Sequence, residues 1–208
     1  MSKIVEISSY FPSKSNFKKS ATSVVCQEHQ VLVDYLTQYA YKHSNEGLYK
    51  TYTFLTSKEA IAAYISFSIT NIEGSDAKSY LDVPIGLNYP IPALKITRLL
   101  TSDEYTNLGI ATRLLFLADI LAFLLSNQIG CKAIVVDAKK DAVSFYERNG
   151  FDILNSEADT TETLLIIKKV DTLKEYGEDL HTILDQFINF CNDYELRLFK
   201  PFLETIKQ

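Results

Sequence analysis

The apolar run GIATRLLFLADILAFLLSNQIG, from Gly109 to Gly130, constrains the fold more than any other part of this sequence. It is long enough for a helix, it ends at a glycine, and it is strongly apolar. A helix of this kind that lies between strands is normally buried against a sheet. Segments typical of strands lie on both sides of it, so the sequence predicts an α/β fold.

The neighbouring segments supply the strands and a further helix. ALKITRLLTS precedes the apolar helix, and CKAIVVDA follows it as a β-branched run typical of a strand covered on both faces. KDAVSFYERNGF predicts a helix ending at Gly150, and TLLIIKKV predicts a last strand. This alternation of strands and helices indicates crossovers that pack on the faces of the sheet.

The first half of the chain predicts one helix, two strands and a loop. EHQVLVDYLTQYAYKHS has apolar residues at helical spacing and ends near Asn45 and Gly47. LYKTYTFLTS and AIAAYISFSIT predict two strands joined by the tight turn TSKE. The segment IEGSDAKSYLDVPIGLNYPIP contains three prolines, which exclude a central strand, so we expect a loop there.

From Thr172 onward, apolar residues recur at steps of three and four, which predicts a long helix broken near Pro201. The seam consists of Leu173, Tyr176, Leu180, Ile183, Phe187, Cys191, Tyr194 and Leu198. It could pack on its own domain, form a homodimer interface or fill a groove of a partner protein.

Charge and length limit the class of protein. The 208 residues can bury a substantial core, and their net charge of −5 argues against a surface that grips nucleic acid throughout. The tail from Asp171 carries eight acidic and four basic residues, which leaves −1 for the preceding body. The sequence has no run of about eighteen uninterrupted apolar residues and begins without the apolar core of a signal peptide, so we expect no membrane contact and a cytoplasmic protein.

The cysteines and histidines suggest neither a disulfide framework nor a metal site. Their spacing forms no CxxC, HxxxH or HExxH pattern, so we expect no metal and interpret the cysteines as buried, reduced thiols. The residues concerned are Cys26, Cys131, Cys191, His29, His43 and His181.

The turn YTNLGIAT has the character of an anion site. The first turn of a helix carries backbone N–H groups without intrahelical partners, and the helix dipole favours a negative charge there. Gly109 removes the Cβ where a ligand must approach closely, Ala111 keeps a further position small, and Thr106 and Thr112 offer hydroxyls. Ordinary loop geometry also explains a single glycine, and the absence of GxGxxG and GxxxxGK[ST] removes the dinucleotide and P-loop interpretations.

Two ordered blocks make the sequence resemble the Gcn5-related N-acetyltransferase (GNAT) superfamily. Its pyrophosphate loop, [RQ]xxGx[GA], falls on Thr106, Asn107, Leu108, Gly109, Ile110 and Ala111. An AxxFYxxxGF block falls on Ala142, Phe145, Tyr146, Gly150 and Phe151. The resemblance implies a mixed, mostly antiparallel sheet flanked by helices, with a V-shaped splay between its two central strands. It implies a GNAT domain over residues 1–170 and leaves a C-terminal helical extension over 171–208.

The resemblance also implies the site. Backbone amides from Leu108 to Thr112 would hold the pyrophosphate of acetyl-CoA, and Leu99, Leu100 and Thr101 would contact pantetheine and the acetyl carbonyl. The next strand would diverge near Asp137, and Tyr146 would be the general acid that protonates the departing thiolate. The alternative for Tyr146 is a core aromatic. Thr106 departs from the usual Arg or Gln, which predicts weaker CoA binding, and we assign no catalytic base, although Glu104 and Asp137 are candidates by location.

A narrower likeness extends from Cys26 to Phe151. The segments LVDYLTQYA, KTYTFL, AYISFS and YPIPALKITRLL are similar to toxin-type acetyltransferases that modify the amino acid on charged tRNA. Arg98 occupies their LxRL-like position, and nearby basic residues could contribute to a tRNA patch or be ordinary surface charges. These residues are Lys95, Lys132, Lys139, Lys140 and Arg148.

Three functions therefore remain open. The leading hypothesis is an acetyl-CoA-dependent N-acetyltransferase whose acceptor is the primary amine of a small molecule or peptide. The alternatives are a toxin-type enzyme that acts on aminoacyl-tRNA and has an antitoxin partner, and a non-catalytic acyl-CoA-binding protein.

Overall fold

A computed structural model describes residues 2–73, 75–83, 90–154, 163–170 and 180–207. Within these ranges, seven strands form one sheet in the order β1-β2-β3-β4-β5-β7-β6. The strands are β1 (Lys3–Glu6), β2 (Lys50–Leu55), β3 (Ile61–Ile72), β4 (Ile91–Thr101), β5 (Ala133–Lys139), β6 (Asp152–Ile153) and β7 (Thr163–Lys169).

The helices lie before, between and after these strands. They are α1 (Ile7–Tyr10), α2 (Lys14–Ala21), α3 (Gln30–Tyr35), α4 (Tyr41–Asn45), α5 (Ser75–Tyr80), α6 (Ile110–Gln128), α7 (Val143–Glu147), α8 (Leu180–Asp193) and α9 (Lys200–Lys207). A π-helix, Leu36–Ala40, joins α3 to α4, and short 3₁₀ turns span Asp103–Tyr105 and Lys140–Ala142. The α/β fold class is confirmed.

Strand pairing is mostly antiparallel. The pairs β1–β2, β2–β3, β5–β7 and β6–β7 are antiparallel, whereas β4 and β5 are parallel. α6 connects the parallel pair, as a crossover requires. The β4–β5 ladder runs only from Ala93↔Ala133 to Ile96↔Val136, although β4 continues to Thr101 and β5 to Lys139. Pairing between the two central strands therefore ends before either strand does, as expected of a V-shaped splay between them.

The chain divides into two compact units. The first consists of Met1–Ser68, Arg98–Leu114 and Leu184–Gln208. Its core joins the N-terminal helices to β2, β3 and the end of β4, and includes the fully buried ring of Tyr64. The Tyr64 hydroxyl donates a hydrogen bond of 2.8 Å to the Leu32 carbonyl, which ties β3 to α3.

The second unit consists of Ile69–Thr97 and Leu115–Ile183. Small and β-branched side chains form one of its apolar clusters. These are Ile72, Ala77, Leu81, Ile91, Ala93, Ala133, Val135 and Ile167. A buried ion pair joins α6 to β7, where Lys168 Nζ lies 2.9 Å from both carboxylate oxygens of Asp119.

α6 forms where the apolar run predicts it, and Gly130 follows its end with a φ of 111°. By length and composition alone, it is the one helix among the described residues that could span a membrane. Of its most apolar stretch, 56% is buried inside the protein, as in the core helix of an α/β fold. Arg113 and Asp119 also interrupt the run.

The region predicted as a loop between β3 and β4 is only partly irregular. It contains α5, and residues 84–89 lie outside the described part of the chain. Pro92 lies inside β4, contrary to the proline argument. The reason is its place near the strand start, where its carbonyl accepts a 2.9 Å bond from the Lys132 amide and ladder pairing begins one residue later. β1, α1, α2 and β6 were not predicted.

The tail also differs from the predicted long helix with a break near Pro201. α8 ends at Asp193, Glu195 has a φ of 59°, and α9 begins again at Lys200. Pro201 does not break a helix, because it occupies the first turn of α9, where no intrahelical N–H bond is lost. Leu198 is exposed rather than part of the seam. Residues 171–179, with the first seam positions, lie outside the described chain.

The tail packs on its own unit, through β1 and β2. The Ile4 amide donates to the Tyr194 carbonyl at 3.1 Å, so the tail covers part of the β1 edge. Tyr194 contacts the Phe54 ring at 5.7 Å between centroids, and Phe199 contacts Tyr52 at 6.2 Å. The boundary between residues 170 and 171 stays a prediction.

All three cysteines are buried and free, which confirms their interpretation as buried, reduced thiols.

Candidate functional site

The end of β4 is anchored at Ser102. Its amide donates to the Ala62 carbonyl at 2.9 Å, and its hydroxyl donates to the Val25 carbonyl and accepts from the Val25 amide, both at 3.1 Å. Asp103 extends this anchor, because its amide donates to the Val25 carbonyl and its carboxylate accepts from the Gln27 amide. These bonds fix the backbone of the first unit between the end of β4 and the turn YTNLGIAT.

The turn itself needs two left-handed residues. Asn107 has a φ of 61° and Gly109 a φ of 69°, a region open to glycine and tolerated by asparagine. A Cβ on Gly109 would lie 3.5 Å from the Arg113 guanidinium, which is an ordinary contact. Conformation rather than space therefore requires a glycine here.

The backbone amides after this turn have no acceptors. From Leu108 to Thr112, no N–H donates to any group in the described residues, and the first helical bond runs from Arg113 N to the Gly109 carbonyl at 3.2 Å. The first turn of α6 contains no acidic side chain that could fill the position. Leu108 is 58% exposed, so water reaches this stretch. Five consecutive donors at the N-terminus of a long helix form a cradle for an anion.

Two side chains modify this cradle. The Thr106 hydroxyl donates to the Asp103 carbonyl at 3.1 Å, so its single proton is used inside the turn. Arg113, one turn along α6, donates from Nη1 to the Leu108 carbonyl at 2.8 Å and brings a cation to the same loop. The sequence analysis missed Arg113, although its i+4 spacing from Gly109 was a usable signal.

Tyr146 lies in the second unit, on α7. It is 6% exposed, and its ring contacts Phe145 at 5.2 Å and Phe151 at 5.5 Å, both edge to face. Its hydroxyl has no hydrogen-bond partner in the described chain. Burial raises the pKa of this hydroxyl well above the usual value. The amides of Asn149 and Phe151 donate to the Tyr146 carbonyl, which fixes the position of the residue.

The carboxylates named as candidate bases are not buried. Asp137 is exposed at the residue after the last β4–β5 pair, and its carboxylate lies 2.6 Å from Lys95 Nζ. Glu104 is exposed in the 3₁₀ turn. Leu99, Leu100 and Thr101 form the last residues of β4, beyond the ladder to β5.

The predicted site residues thus fall into two groups. Those from Leu99 to Thr112 lie together in the first unit, and Asp137 and Tyr146 lie in the second. No group of three or more His, Cys, Asp or Glu side chains in the described residues could hold a metal ion. A second feature of the first unit, the contact between Arg98 and Tyr35, was also not predicted.

Comparisons with known proteins bear on the family and the fold. A family model described as "Acetyltransferase (GNAT) domain" matches residues 20–163. No curated protein matches the chain.

Solved structures share the fold at low identity. AtaT complexed with acetyl-methionyl-tRNAfMet is 17% identical, with a TM-score of 0.69 over 86% of this chain and 100% of that chain. A tyrosine-to-phenylalanine mutant of KacT is 17% identical, with a TM-score of 0.68 over 84% and 98% of the two chains. A similar mutant of the AtaT toxin, bound to acetyl-CoA and the C-terminus of the antitoxin AtaR, gives 15% identity and a TM-score of 0.67 over 86% and 99%.

Proposed function

Because the chain belongs to the GNAT acetyltransferase family, we propose that it acetylates the primary amine of an acceptor. Acetyl-CoA supplies the thioester: the amine nitrogen forms a bond to its carbonyl carbon, the carbon–sulfur bond breaks, and the thiolate leaves. The nitrogen gives up one proton to solvent or a base, and the thiolate gains one from the enzyme. Residues of this chain must bind the pyrophosphate, hold the pantetheine arm and the acetyl carbonyl, and supply the proton for the thiolate.

The free amides from Leu108 to Thr112 are the observation that carries the proposal. An oxyanion such as pyrophosphate can accept hydrogen bonds from several of them, and the dipole of the 19-residue helix α6 favours its charge. Arg113 adds a positive charge next to the same amides, one turn after Gly109. We propose that Arg113 partly replaces the contribution to CoA binding of the Arg or Gln that usually stands at the position of Thr106.

The end of β4 has the second role. Leu99, Leu100 and Thr101 lie beyond the last β4–β5 pair, so backbone groups on that side of the strand can bind the pantetheine arm and the acetyl carbonyl. Asp137 begins the corresponding unpaired part of β5. Its side chain is engaged by Lys95, so we assign its contribution to the backbone.

Tyr146 is the proposed general acid. A general acid must hold its proton until the leaving group needs it, and burial raises the pKa of the Tyr146 hydroxyl, which keeps it protonated at neutral pH. The hydroxyl has no partner in the described residues that would compete for the proton. The edge-to-face contacts with Phe145 and Phe151 hold the ring in place.

Release of free thiol from acetyl-CoA on a panel of primary amines tests the proposal. We expect turnover by the wild type, and at least a hundredfold slower turnover by Tyr146→Phe, with CoA affinity unchanged. Tyr194→Phe, on the tail, is the matched control and should behave as wild type. Equal rates in wild type and Tyr146→Phe would remove Tyr146 from the mechanism. CoA binding without turnover on any amine would favour the non-catalytic acyl-CoA-binding alternative.

A second candidate acceptor is the α-amino group of aminoacyl-tRNA. Its support is the likeness to AtaT, solved with acetyl-methionyl-tRNAfMet, and to AtaT bound to the C-terminus of an antitoxin. In that case an antitoxin partner would also exist for this chain. Incubation with acetyl-CoA and charged tRNA should give acetylated aminoacyl-tRNA, and expression of the active enzyme should arrest growth. Harmless expression of an active enzyme would count against this candidate.

A further inference from the structure

Four side chains of the first unit form a closed ring of contacts. The Arg98 guanidinium lies 3.5 Å from the centre of the Tyr35 ring and 5.4 Å from that of Tyr49. His43 closes the ring, because its imidazole lies 5.7 Å from Tyr35 and 5.5 Å from Tyr49. We call these residues, Arg98, Tyr35, His43 and Tyr49, the Arg98 cluster. It joins β4 to the N-terminal helices and to the segment before β2.

The cluster contains polar groups without partners. The half-buried Arg98 has no hydrogen-bond acceptor and no carboxylate within ion-pair distance among the described residues. The Tyr35 hydroxyl, on a residue only 5% exposed, faces the hydroxyls of Thr51 and Ser66, whereas the buried Nδ1 of His43 has no partner among the described residues. Guanidinium donors left unpaired at such a depth are costly unless a ligand or water completes them. Aromatic packing satisfies the ring faces and leaves these edges unsatisfied.

The position of the cluster connects it with acetyl transfer. Arg98 directly precedes Leu99, the first β4 residue of the proposed acetyl-binding stretch, and shares a strand face with the buried Leu100. Tyr35 directly precedes the π-helix Leu36–Ala40, a rare element that is frequent at functional sites. Within that π-helix, Tyr39 is half exposed and stacks on His43, which extends the cluster to the surface.

We propose that the Arg98 cluster binds an anionic oxygen group, a phosphate or carboxylate, of the acceptor. The guanidinium fork matches both groups with two parallel hydrogen bonds, and stacking on Tyr35 fixes the plane of the fork while leaving its N–H edges available. The assignment rests on the proposed acetyl transfer, since it orients the amine of the acceptor relative to β4. It restricts the acceptor to amines that carry an anion nearby.

Two pairs of acceptors separate the sources of the anion. An α-amino acid and its amide differ by a carboxylate, and an aminoacyl-adenosine 5′-phosphate and its nucleoside differ by a phosphate. In at least one pair, the wild type should prefer the anionic member by about tenfold to a hundredfold in kcat/KM, the range of one charge-assisted hydrogen-bonded pair. The pair that shows the preference identifies the source. No preference in either pair overturns the proposal.

Substitutions then assign the preference to Arg98. Arg98→Gln should bring the ratio close to one, mainly through the KM of the anionic member, and Arg98→Lys should keep part of it, because the charge stays and the fork is lost. Arg197→Gln removes the same charge from an exposed position of the tail and should keep the wild-type ratio. A ratio that persists in Arg98→Gln overturns the proposal while acetyl transfer stands.

A binding measurement makes the test independent of turnover. With CoA saturating, so that the cradle at Gly109 is filled, inorganic phosphate at constant ionic strength should raise the melting temperature of wild type and Arg197→Gln. The increase should be smaller in Arg98→Gln and intermediate in Arg98→Lys. If no amine is acetylated but this pattern holds, the proposed function fails and the anion site stands. Equal increases in all four proteins overturn the anion site.

Discussion

Replacement of Gly109 by alanine isolates the contribution of the cradle conformation. The residue has a φ of 69°, and an alanine held there is strained by about 1 to 2 kcal/mol. The lower chain entropy of alanine in the unfolded state returns about 0.4 to 1 kcal/mol of this strain. The added methyl group meets only the Arg113 guanidinium, at an unstrained 3.5 Å. The net loss of stability should therefore be roughly 1 kcal/mol, which in a chain of this size lowers the melting temperature by about 2 to 4 °C.

The effect on the cofactor should be larger than the effect on stability. Relief of the strain rotates the peptide groups next to Gly109, and misdirection of one amide removes a charge-assisted hydrogen bond worth about 1.5 to 3 kcal/mol. We therefore expect the KM for acetyl-CoA to rise about tenfold to a hundredfold. The value of kcat at saturation should change little, because the substitution leaves Tyr146, the proposed general acid, unaltered.

Gly47 provides the matched control. Its φ is 73°, and a Cβ there meets no atom within 4 Å, so Gly47→Ala introduces the same strain in the turn after α4, which is not part of the loop before α6. Calorimetry and steady-state kinetics on both variants separate stability from binding. The two melting temperatures should fall alike, and only Gly109→Ala should change the KM. An unchanged KM in Gly109→Ala, with the expected loss of stability, would refute the cradle.

Three further outcomes follow from the structure. Asp119→Asn should destabilise the protein by about 3 to 5 kcal/mol in urea unfolding, because it leaves the Lys168 ammonium buried without its carboxylate. The double variant Asp119→Leu with Lys168→Met should recover most of this loss, and equal losses in the single and double variants would contradict the prediction. Arg113→Ala should raise the KM for acetyl-CoA severalfold with kcat unchanged, whereas an unaltered KM would exclude a cofactor role for Arg113. Since burial raises the pKa of Tyr146 above its ordinary value of 10.0, the neutral phenol persists as the pH rises, and rate profiles should show no loss from its ionisation below pH 10. An alkaline limb near pH 8.5 that disappears in the residual activity of Tyr146→Phe would contradict the raised pKa of this hydroxyl.

The central part of the fold is predictable because its signals are local. CKAIVVDA is apolar on both faces and becomes β5, and the run after Gly109 becomes α6, since each pattern permits one kind of burial. Residues 3–21 lack such a signal. β1 is short and depends on pairing with β2, and α1 starts where the Glu6 carboxylate accepts from the Ser9 amide. The pairing of β1 is a contact that a window of sequence does not contain, and the four residues of α1 are too few to show a helical period.

The candidate site likewise has one part that a local sequence pattern predicts and another that none predicts. The loop at Gly109 is marked by its glycine, and the left-handed φ there accounts for that mark. The Arg98 cluster brings together helix, loop and strand residues that are far apart in sequence, so no local pattern predicts it. The likeness to GNAT enzymes supplied the role of Tyr146, since its burial and unpartnered hydroxyl are visible only in the folded chain.

The fold tolerates five unpaired amides because it separates anchoring from binding. Buried donors without partners would destabilise the protein, but Leu108, Gly109 and Thr112 are exposed, so water can reach donors at both ends of the stretch when no anion is bound. Ser102, only 1% exposed, carries the structural bonds to Ala62 and Val25 instead. Binding therefore exchanges water for anion oxygens at donors already fixed in direction, with little ordering of the chain. It follows that substitutions at Ser102 should lower both stability and affinity, whereas those at exposed Leu108 should leave stability nearly unchanged.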